Sequence, residues 1–137
     1  MKTLKLQVIK YSKKLNSTNL SALRSGNISI RARSNGVEGF YITPSGMKYS
    51  NLKTSDIVFV SLEGRFDKNK GKPSSEWRFH QDIYVNKKES NAIVHAHSTC
   101  ATAVSTHQKS IPAFHYMVAV AGGEDIKWSK YATFGTR

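Results

Sequence analysis

Hydrophobic residues near the start of the chain recur at intervals of three or four positions, with lysines between them. They are Leu4, Val8, Tyr11 and Leu15. This spacing predicts an amphipathic helix over about the first fifteen residues. Its apolar stripe is expected to pack on a sheet.

From residue 28 the hydrophobic period shortens to two. Ile28, Ile30 and Ala32 alternate with polar residues, which is the pattern of a β-strand. The Ser34-Asn35-Gly36 sequence supplies a turn before a second strand around residues 40–43, so the two strands are predicted to form a hairpin. A third short strand is predicted at 57–62.

The second half of the chain alternates between predicted helices and strands. Residues 67–72 are polar and rich in lysine, which indicates a surface loop. After Pro73, Ser74 or Ser75 can cap a helix that runs to about residue 86. A buried strand is predicted at 92–97, and a further helix from about 98 to 108. Strands separated by helices predict an α/β layered architecture, here as one domain over residues 1–137.

The composition narrows the classes of partner. The 21 lysines and arginines against nine acidic residues give a net charge of +12, so the surface attracts anions. The charges are scattered and no nucleic-acid-binding motif accompanies them, so a small phosphorylated substrate is preferred to nucleic acid. No membrane span or signal peptide is predicted, and with a single cysteine, Cys100, the protein is expected to be cytoplasmic.

The strongest chemical signal is a carboxylate followed by a pair of imidazoles. In an extended strand, His95 and His97 point to the same side and can reach one cation. The alternative is a hydrogen-bonded histidine pair at a sheet edge. Glu76 is predicted in the first turn of its helix, where it is either a capping carboxylate, a general base or an exchangeable metal ligand.

Several small polar segments are candidates for holding an anion. Ser74 and Ser75 offer hydroxyl and N–H groups at a predicted helix start, which is a common phosphate site. The turns Ser25-Gly26-Asn27 and Thr43-Pro44-Ser45-Gly46 also present backbone N–H groups. Ordinary helix capping and turn formation are the alternative explanation for all three segments.

These segments, in this order, resemble the class II aldolase/adducin family over about residues 26–137, and within it most closely the aldolases that act on L-fuculose 1-phosphate. The motifs that carry the resemblance are Gly26-Asn27-Ile28-Ser29, Thr43-Pro44-Ser45-Gly46, Pro73-Ser74-Ser75-Glu76-Trp77-Arg78-Phe79-His80, His95-Ala96-His97, Ile111-Pro112-Ala113-Phe114-His115-Tyr116-Met117 and Tyr131-Ala132-Thr133-Phe134-Gly135-Thr136-Arg137.

The resemblance implies a three-layer α-β-α sandwich around a mixed, largely antiparallel sheet, assembled as a homotetramer with active sites at subunit interfaces. It implies that His95 and His97 bind one zinc ion per subunit, that Glu76 acts as acid and base, and that Tyr116 transfers a proton. The implied reaction is cleavage of a ketose 1-phosphate to dihydroxyacetone phosphate and an aldehyde such as L-lactaldehyde. The positions implied to hold the substrate phosphate are Gly26, Asn27, Ser45, Gly46, Ser74 and Ser75.

In the family the third zinc histidine lies beyond the match to Arg137, so the C-terminal part of the domain is expected to be missing from these residues. Candidates for a third ligand are Glu76, His80, His107 and His115. Arg24, where the family commonly has a small hydroxyl residue, is expected either to strengthen or to obstruct phosphate binding. Two alternatives stay open: a pentulose-phosphate 4-epimerase of the same fold, and a catalytically inactive adducin-like binding module.

Overall fold

The structure, a computed structural model, describes residues 2–21, 25–120 and 123–133. Arg24 and the end of the last motif, residues 134–137, lie outside this part. The predicted N-terminal helix is confirmed as α1, Lys2–Ser17. Its buried residues are Val8, Ile9, Ser12 and Leu15, whereas Tyr11 is exposed, so the buried stripe is rotated slightly from the predicted one.

Four antiparallel strands form a sheet in the order β3-β2-β1-β4. Their bounds are Asn27–Ser34 for β1, Val37–Ile42 for β2, Val58–Ser61 for β3 and Ala92–His95 for β4. The predicted hairpin is confirmed, because β1 and β2 pair around a turn in which Asn35 and Gly36 both have positive φ. This matches the largely antiparallel sheet implied by the resemblance.

Helix α1 covers one face of the sheet with an apolar layer. Alternate residues of the strands point to this face, among them Ile28 of β1 and Tyr41 of β2, and they pack against Val8 and Leu15 of the helix. Because α1 brings a largely apolar stripe to this face, burial of hydrocarbon surface is its main source of stability.

Helix α2, Trp77–Asn86, covers the opposite face and completes the three layers. Phe40, Val60 and Tyr84 form the centre of this second core. The half-buried Arg31 of β1 donates to the carbonyl oxygens of Tyr84 at 2.8 Å and Ser90 at 2.9 Å, so it satisfies carbonyls at and just beyond the C-terminal end of α2.

Two predictions about the second half need correction. The strand β4 is not buried: it lies at the edge of the sheet, and Val94 is 58% exposed because no described element packs over it. Glu76 is not in the first turn of α2 but at its N-cap, and its side chain makes no capping hydrogen bond.

Beyond β4 the described chain forms two helices that contribute little to the core. The predicted helix is confirmed as α3, Thr99–Thr106, and α4 is Tyr116–Val120. All of α3 is exposed, and Val118 is the buried residue of α4. Among the described residues, no helix has the length and hydropathy of a transmembrane segment.

Candidate metal and phosphate site

Three separate segments bring the predicted metal-site residues together at one end of the sheet. Asn27 begins β1 and pairs in register with His95, the last residue of β4. Glu76 precedes α2 on the face that His95 points to, and its Oε2 accepts a hydrogen bond from Asn27 Nδ2 at 2.7 Å. The antiparallel register therefore places the histidine pair directly beside the carboxylate.

The ligand-type atoms of Glu76, His95 and His97 all lie within 4.8 Å of one another. The two Nε2 atoms are 2.8 Å apart, and His95 Nε2 is 3.4 Å from Glu76 Oε2. Two nitrogens on one tetrahedral zinc ion lie about 3.3 Å apart when each bond is roughly 2.0 to 2.1 Å. The donor set and spacing thus fit a zinc-type cation after a small opening of the histidine pair.

The electrostatics of the cluster favour an unprotonated His95. Burial lowers the pKa of His95; the Glu76 carboxylate opposes this effect and the neighbouring His97 adds to it. A neutral imidazole is the form that donates its lone pair to a metal. Protonation and metal binding therefore compete for the same nitrogen, and burial favours the metal.

Beside this cluster is a cavity of about 300 Å³. Glu76 and His97 line it together with all six residues implied to hold a phosphate, namely Gly26, Asn27, Ser45, Gly46, Ser74 and Ser75. The lining that the structure describes contains no lysine or arginine. An anion there would be held by hydroxyl groups and backbone dipoles rather than by a cationic side chain.

The two serine segments of the cavity are joined by backbone hydrogen bonds. Pro44 and Pro73 form an antiparallel bridge, with Ser45 N donating to Lys72 O at 3.0 Å and Ser74 N donating to Thr43 O at 2.9 Å. These two amides are therefore not available to an anion. An anion at Ser45 or Ser74 would be held by the hydroxyl group instead.

Gly26 lies where the cavity meets the end of β4. Its φ is +79°, and a Cβ at this position would be 2.6 Å from the carbonyl oxygen of His95 and 2.5 Å from Ser21 Oγ. Only glycine fits this approach. Tyr49, a buried residue that also lines the cavity, donates a hydrogen bond from its hydroxyl to the Gly26 carbonyl. The turn is therefore fixed from both sides.

Asn27 is 2% exposed, and its amide makes contacts at both ends. Nδ2 faces Glu76, and Oδ1 contacts Nε2 of His80. Its side chain therefore links the helix to the carboxylate, in addition to lining the cavity.

Other residues proposed from the sequence are not members of the cluster. Tyr116 starts α4, is 72% exposed, and packs its ring on His115 with 4.4 Å between centroids. His107 ends α3 as an exposed cap residue. His80 is fully buried, and both ring nitrogens already have partners within the protein, so it is not positioned as a third ligand.

Sequence reasoning missed Tyr49, and it missed the part that Ser29 and Tyr84 play beneath the site. From the sequence, Ser29 is one of the polar positions that alternate with Ile28 and Ile30, and Tyr84 falls within the predicted helix that follows Pro73. In the structure both are buried and hydrogen-bonded to each other at 2.8 Å. Ser29 and Arg31 lie on the same face of β1, which the sequence makes polar. The only sign that Ser29 would be buried was the prediction of a second helix able to cover that face.

Comparison with known proteins identifies the family. Residues 6–137 match the family model described as the class II aldolase and adducin N-terminal domain. The chain belongs to this family. A solved L-fuculose 1-phosphate aldolase has a TM-score of 0.90 and 39% identity, with all of this chain and 63% of that one covered.

Two curated members of the class II aldolase and adducin family are similar at equal identity. An L-fuculose phosphate aldolase of Escherichia coli is 48% identical over 113 residues, which are 82% of this chain and 50% of the relative. A 5-methylthioribulose-1-phosphate/5-deoxyribulose-1-phosphate aldolase of Rhodospirillum rubrum is 48% identical over 112 residues, 82% of this chain and 48% of the relative. The chain thus spans about half the length of these relatives.

Proposed function

We propose that this chain forms the metal-binding and phosphate-binding part of an aldolase that cleaves a ketose 1-phosphate to dihydroxyacetone phosphate and an aldehyde. For L-fuculose 1-phosphate the aldehyde is L-lactaldehyde. The observation that carries the proposal is the shared position of Glu76 and His97, which belong both to the metal-type cluster and to the cavity of serine and glycine turns. A phosphate and a cation bound there would hold one small sugar phosphate between them.

The cleavage needs two proton movements. The C4 hydroxyl of the ketose loses a proton as the C3–C4 bond breaks, and the electron pair left at C3 is then protonated to complete dihydroxyacetone phosphate. A zinc ion held by His95 and His97 would supply Lewis-acid stabilisation of the negative charge that develops on the substrate oxygens. We assign the proton at C3 to Glu76, because its carboxylate lies beside the histidines and faces the cavity.

We assign the proton at the C4 hydroxyl to Tyr116. Its ring is exposed at the start of α4 and is not among the residues that line the cavity of its own chain. Such a tyrosine is available to the site of a neighbouring subunit, in agreement with a homotetramer that has interfacial sites. The large exposed side chains near it, Phe114 and Met117, support burial of this region in an oligomer.

The test uses proton exchange at C3 of dihydroxyacetone phosphate in deuterated water, followed by NMR. This half-reaction requires the metal, the phosphate site and Glu76, but no aldehyde. We expect Glu76→Gln to keep zinc bound to His95 and His97 and to slow exchange about 10²- to 10⁴-fold, because a general acid and base is lost. Zinc per chain and exchange rate are both measured.

Two controls bracket this experiment. Glu63→Gln changes an exposed glutamate that pairs with Arg65 at 3.5 Å, and it should leave zinc and exchange unchanged. His95→Ala should lose both. Full exchange in Glu76→Gln would refute its role, and absence of exchange in the zinc-loaded unsubstituted protein would refute the aldolase proposal.

The substrate has a second candidate, because the relative acting on 5-methylthioribulose 1-phosphate and 5-deoxyribulose 1-phosphate is as similar as the fuculose phosphate enzyme. Both substrate types share the phosphorylated end, which the described cavity is proposed to hold. Rates of dihydroxyacetone phosphate release from L-fuculose 1-phosphate and from 5-deoxyribulose 1-phosphate distinguish them, and the faster substrate identifies the aldehyde end that the site accepts.

A further inference from the structure

A continuous series of hydrogen bonds runs from the core beneath α2 to the carboxylate of Glu76. Tyr84 OH lies 2.8 Å from Ser29 Oγ, which lies 2.7 Å from Nδ1 of His80. Nε2 of His80 contacts Oδ1 of Asn27, whose Nδ2 donates to Glu76 Oε2 at 2.7 Å. Every link except the last is buried, and the participating side chains come from β1 and α2.

The chemistry of the two ends allows only one direction for these bonds. The Glu76 carboxylate only accepts, so the Asn27 amide must present Nδ2 to it and Oδ1 to His80. Oδ1 also only accepts, so His80 must carry its proton on Nε2.

The direction then continues inward from the histidine. With its proton on Nε2, a neutral His80 has an acceptor at Nδ1, which receives the Ser29 hydroxyl proton. The Ser29 oxygen is left to accept the proton of Tyr84 OH. Burial lowers the pKa of His80 to about 3, with the charge of His95 adding to the effect, so the ring is neutral at physiological pH.

We propose that Ser29, His80 and Asn27 are positioning residues that hold the Glu76 carboxylate in the orientation needed for its proton transfer, through a one-directional hydrogen-bond chain. The inference rests on the proposed function for the role of Glu76. It gives Asn27 a second duty beyond the phosphate contact implied by the resemblance.

The local structure explains why such support is needed. Glu76 is at the N-cap of α2 but makes no capping hydrogen bond, so the helix itself does not fix its side chain. His80 is fixed instead: its ring stacks on Phe79 with 4.5 Å between centroids and on Phe40 with 6.5 Å. A rigid ring at one end of the Asn27 amide sets the direction of the other end.

The first experiment is independent of catalysis. Ring ¹⁵N NMR of the unsubstituted protein distinguishes a protonated from an unprotonated nitrogen in His80. We expect a neutral ring with the proton on Nε2. A proton on Nδ1, or on both nitrogens at neutral pH, would overturn the chain.

The second experiment measures the effect on Glu76. His80→Phe keeps an aromatic ring between Phe40 and Phe79 but removes both hydrogen bonds. We expect zinc per chain to stay the same, the kcat of C3 proton exchange to fall about 10- to 100-fold, as for other residues that orient groups at a metal site, and the KM for dihydroxyacetone phosphate to be unchanged. Ser29→Ala, which breaks the chain one bond farther away, should give a smaller loss of kcat.

The matched control is Gln81→Leu. Gln81 follows His80 on α2, and its side chain points away from the site and donates to Leu62 O at a distance of 2.7 Å. It tests whether general loosening of α2 lowers kcat, and it should leave kcat unchanged. If it lowers kcat as much as His80→Phe does, or if His80→Phe leaves kcat unchanged, the positioning role is wrong.

The two proposals fail separately. If the unsubstituted protein shows the expected His80 tautomer but no C3 exchange, the hydrogen-bond chain stands as a structural arrangement, whereas its catalytic role and the proposed function are both wrong. If exchange depends on Glu76 but His80 carries its proton on Nδ1, the aldolase proposal stands and the positioning inference is wrong.

Discussion

The two faces of the sheet are built from the same four strands but differ in how they treat buried polar groups. On the α1 face, the fully buried Ser12 donates to the Val8 carbonyl one helical turn earlier, at 2.7 Å. On the α2 face, the equally buried Ser29 bonds to His80 and Tyr84 of another element. The α1 face satisfies its buried serine within one helix, whereas the α2 face joins its buried serine to side chains of another element that lead to the candidate site.

The largest expected effect tests whether the two faces contribute equally through packing. Ile28 faces α1 and Ile42 faces α2, and both are buried strand residues. Replacing either with alanine should lower the free energy of unfolding by about 2 to 5 kcal/mol, because buried methyl groups are lost and a cavity remains. Urea unfolding of both variants checks this, and a loss confined to one face would show that the other is not a true core.

A smaller effect should separate the faces. Ser29→Ala leaves the Nδ1 atom of His80 without its donor and should cost about 1 to 3 kcal/mol of unfolding free energy. Ser12→Ala is its matched control, since it removes only a local bond and gains helix propensity, and it should change stability by less than about 0.5 kcal/mol. Equal losses in urea unfolding would contradict the difference drawn between the faces.

The smallest effect, counted per pH unit, is the dependence of the unfolding free energy on His80, which lies on the α2 face. His80 has a pKa of about 3 in the folded chain, below its ordinary value of 6.5, because burial disfavours its charged form. Below pH 6.5 the unfolded chain binds a proton that the folded chain does not. The contribution of His80 to the free energy of unfolding is therefore constant above this pH and falls by up to about 1.4 kcal/mol for each pH unit below it, toward pH 3.

The groups that interact with His80 are His95 from β4 and Asn27 and Ser29 from β1. Ser29 is in turn bonded to Tyr84 of α2. Burial also lowers the pKa of His95, which adds a dependence of the same sign. His80→Phe should therefore reduce the slope of the unfolding free energy, measured in urea, between pH 7 and pH 5, and an unchanged slope would show that His80 does not contribute to it.

Much of the fold followed from local pattern. The helical spacing around Val8 and the alternation of Ile28 and Ile30 predicted α1 and β1, because each element buries one face. The exposure of β4 was not predictable from its run of Ile93 and Val94, since a short apolar run does not reveal whether another element covers it. The exposure of a strand depends on which elements pack against it in space, and its own sequence does not show that.

The candidate site was predictable where its residues follow one another in the chain. The spacing of His95 and His97 predicted that their side chains point the same way. In the structure the two imidazoles lie together beside Glu76. The support beneath them was not predictable, because Ser29 and His80 are 51 residues apart and meet only when α2 packs on β1. A serine at a polar strand position gives no local sign that it will be buried.

The tight approach of Gly26 to the His95 carbonyl has a consequence for ligand binding. The Gly26 turn borders the cavity and approaches the His95 carbonyl too closely for any side chain to fit between them. We therefore expect a shift of this turn to move the carbonyl of His95 as well. If an anion and a cation bind where we propose, we expect the affinity for one to depend on the presence of the other through a residue that has no side chain.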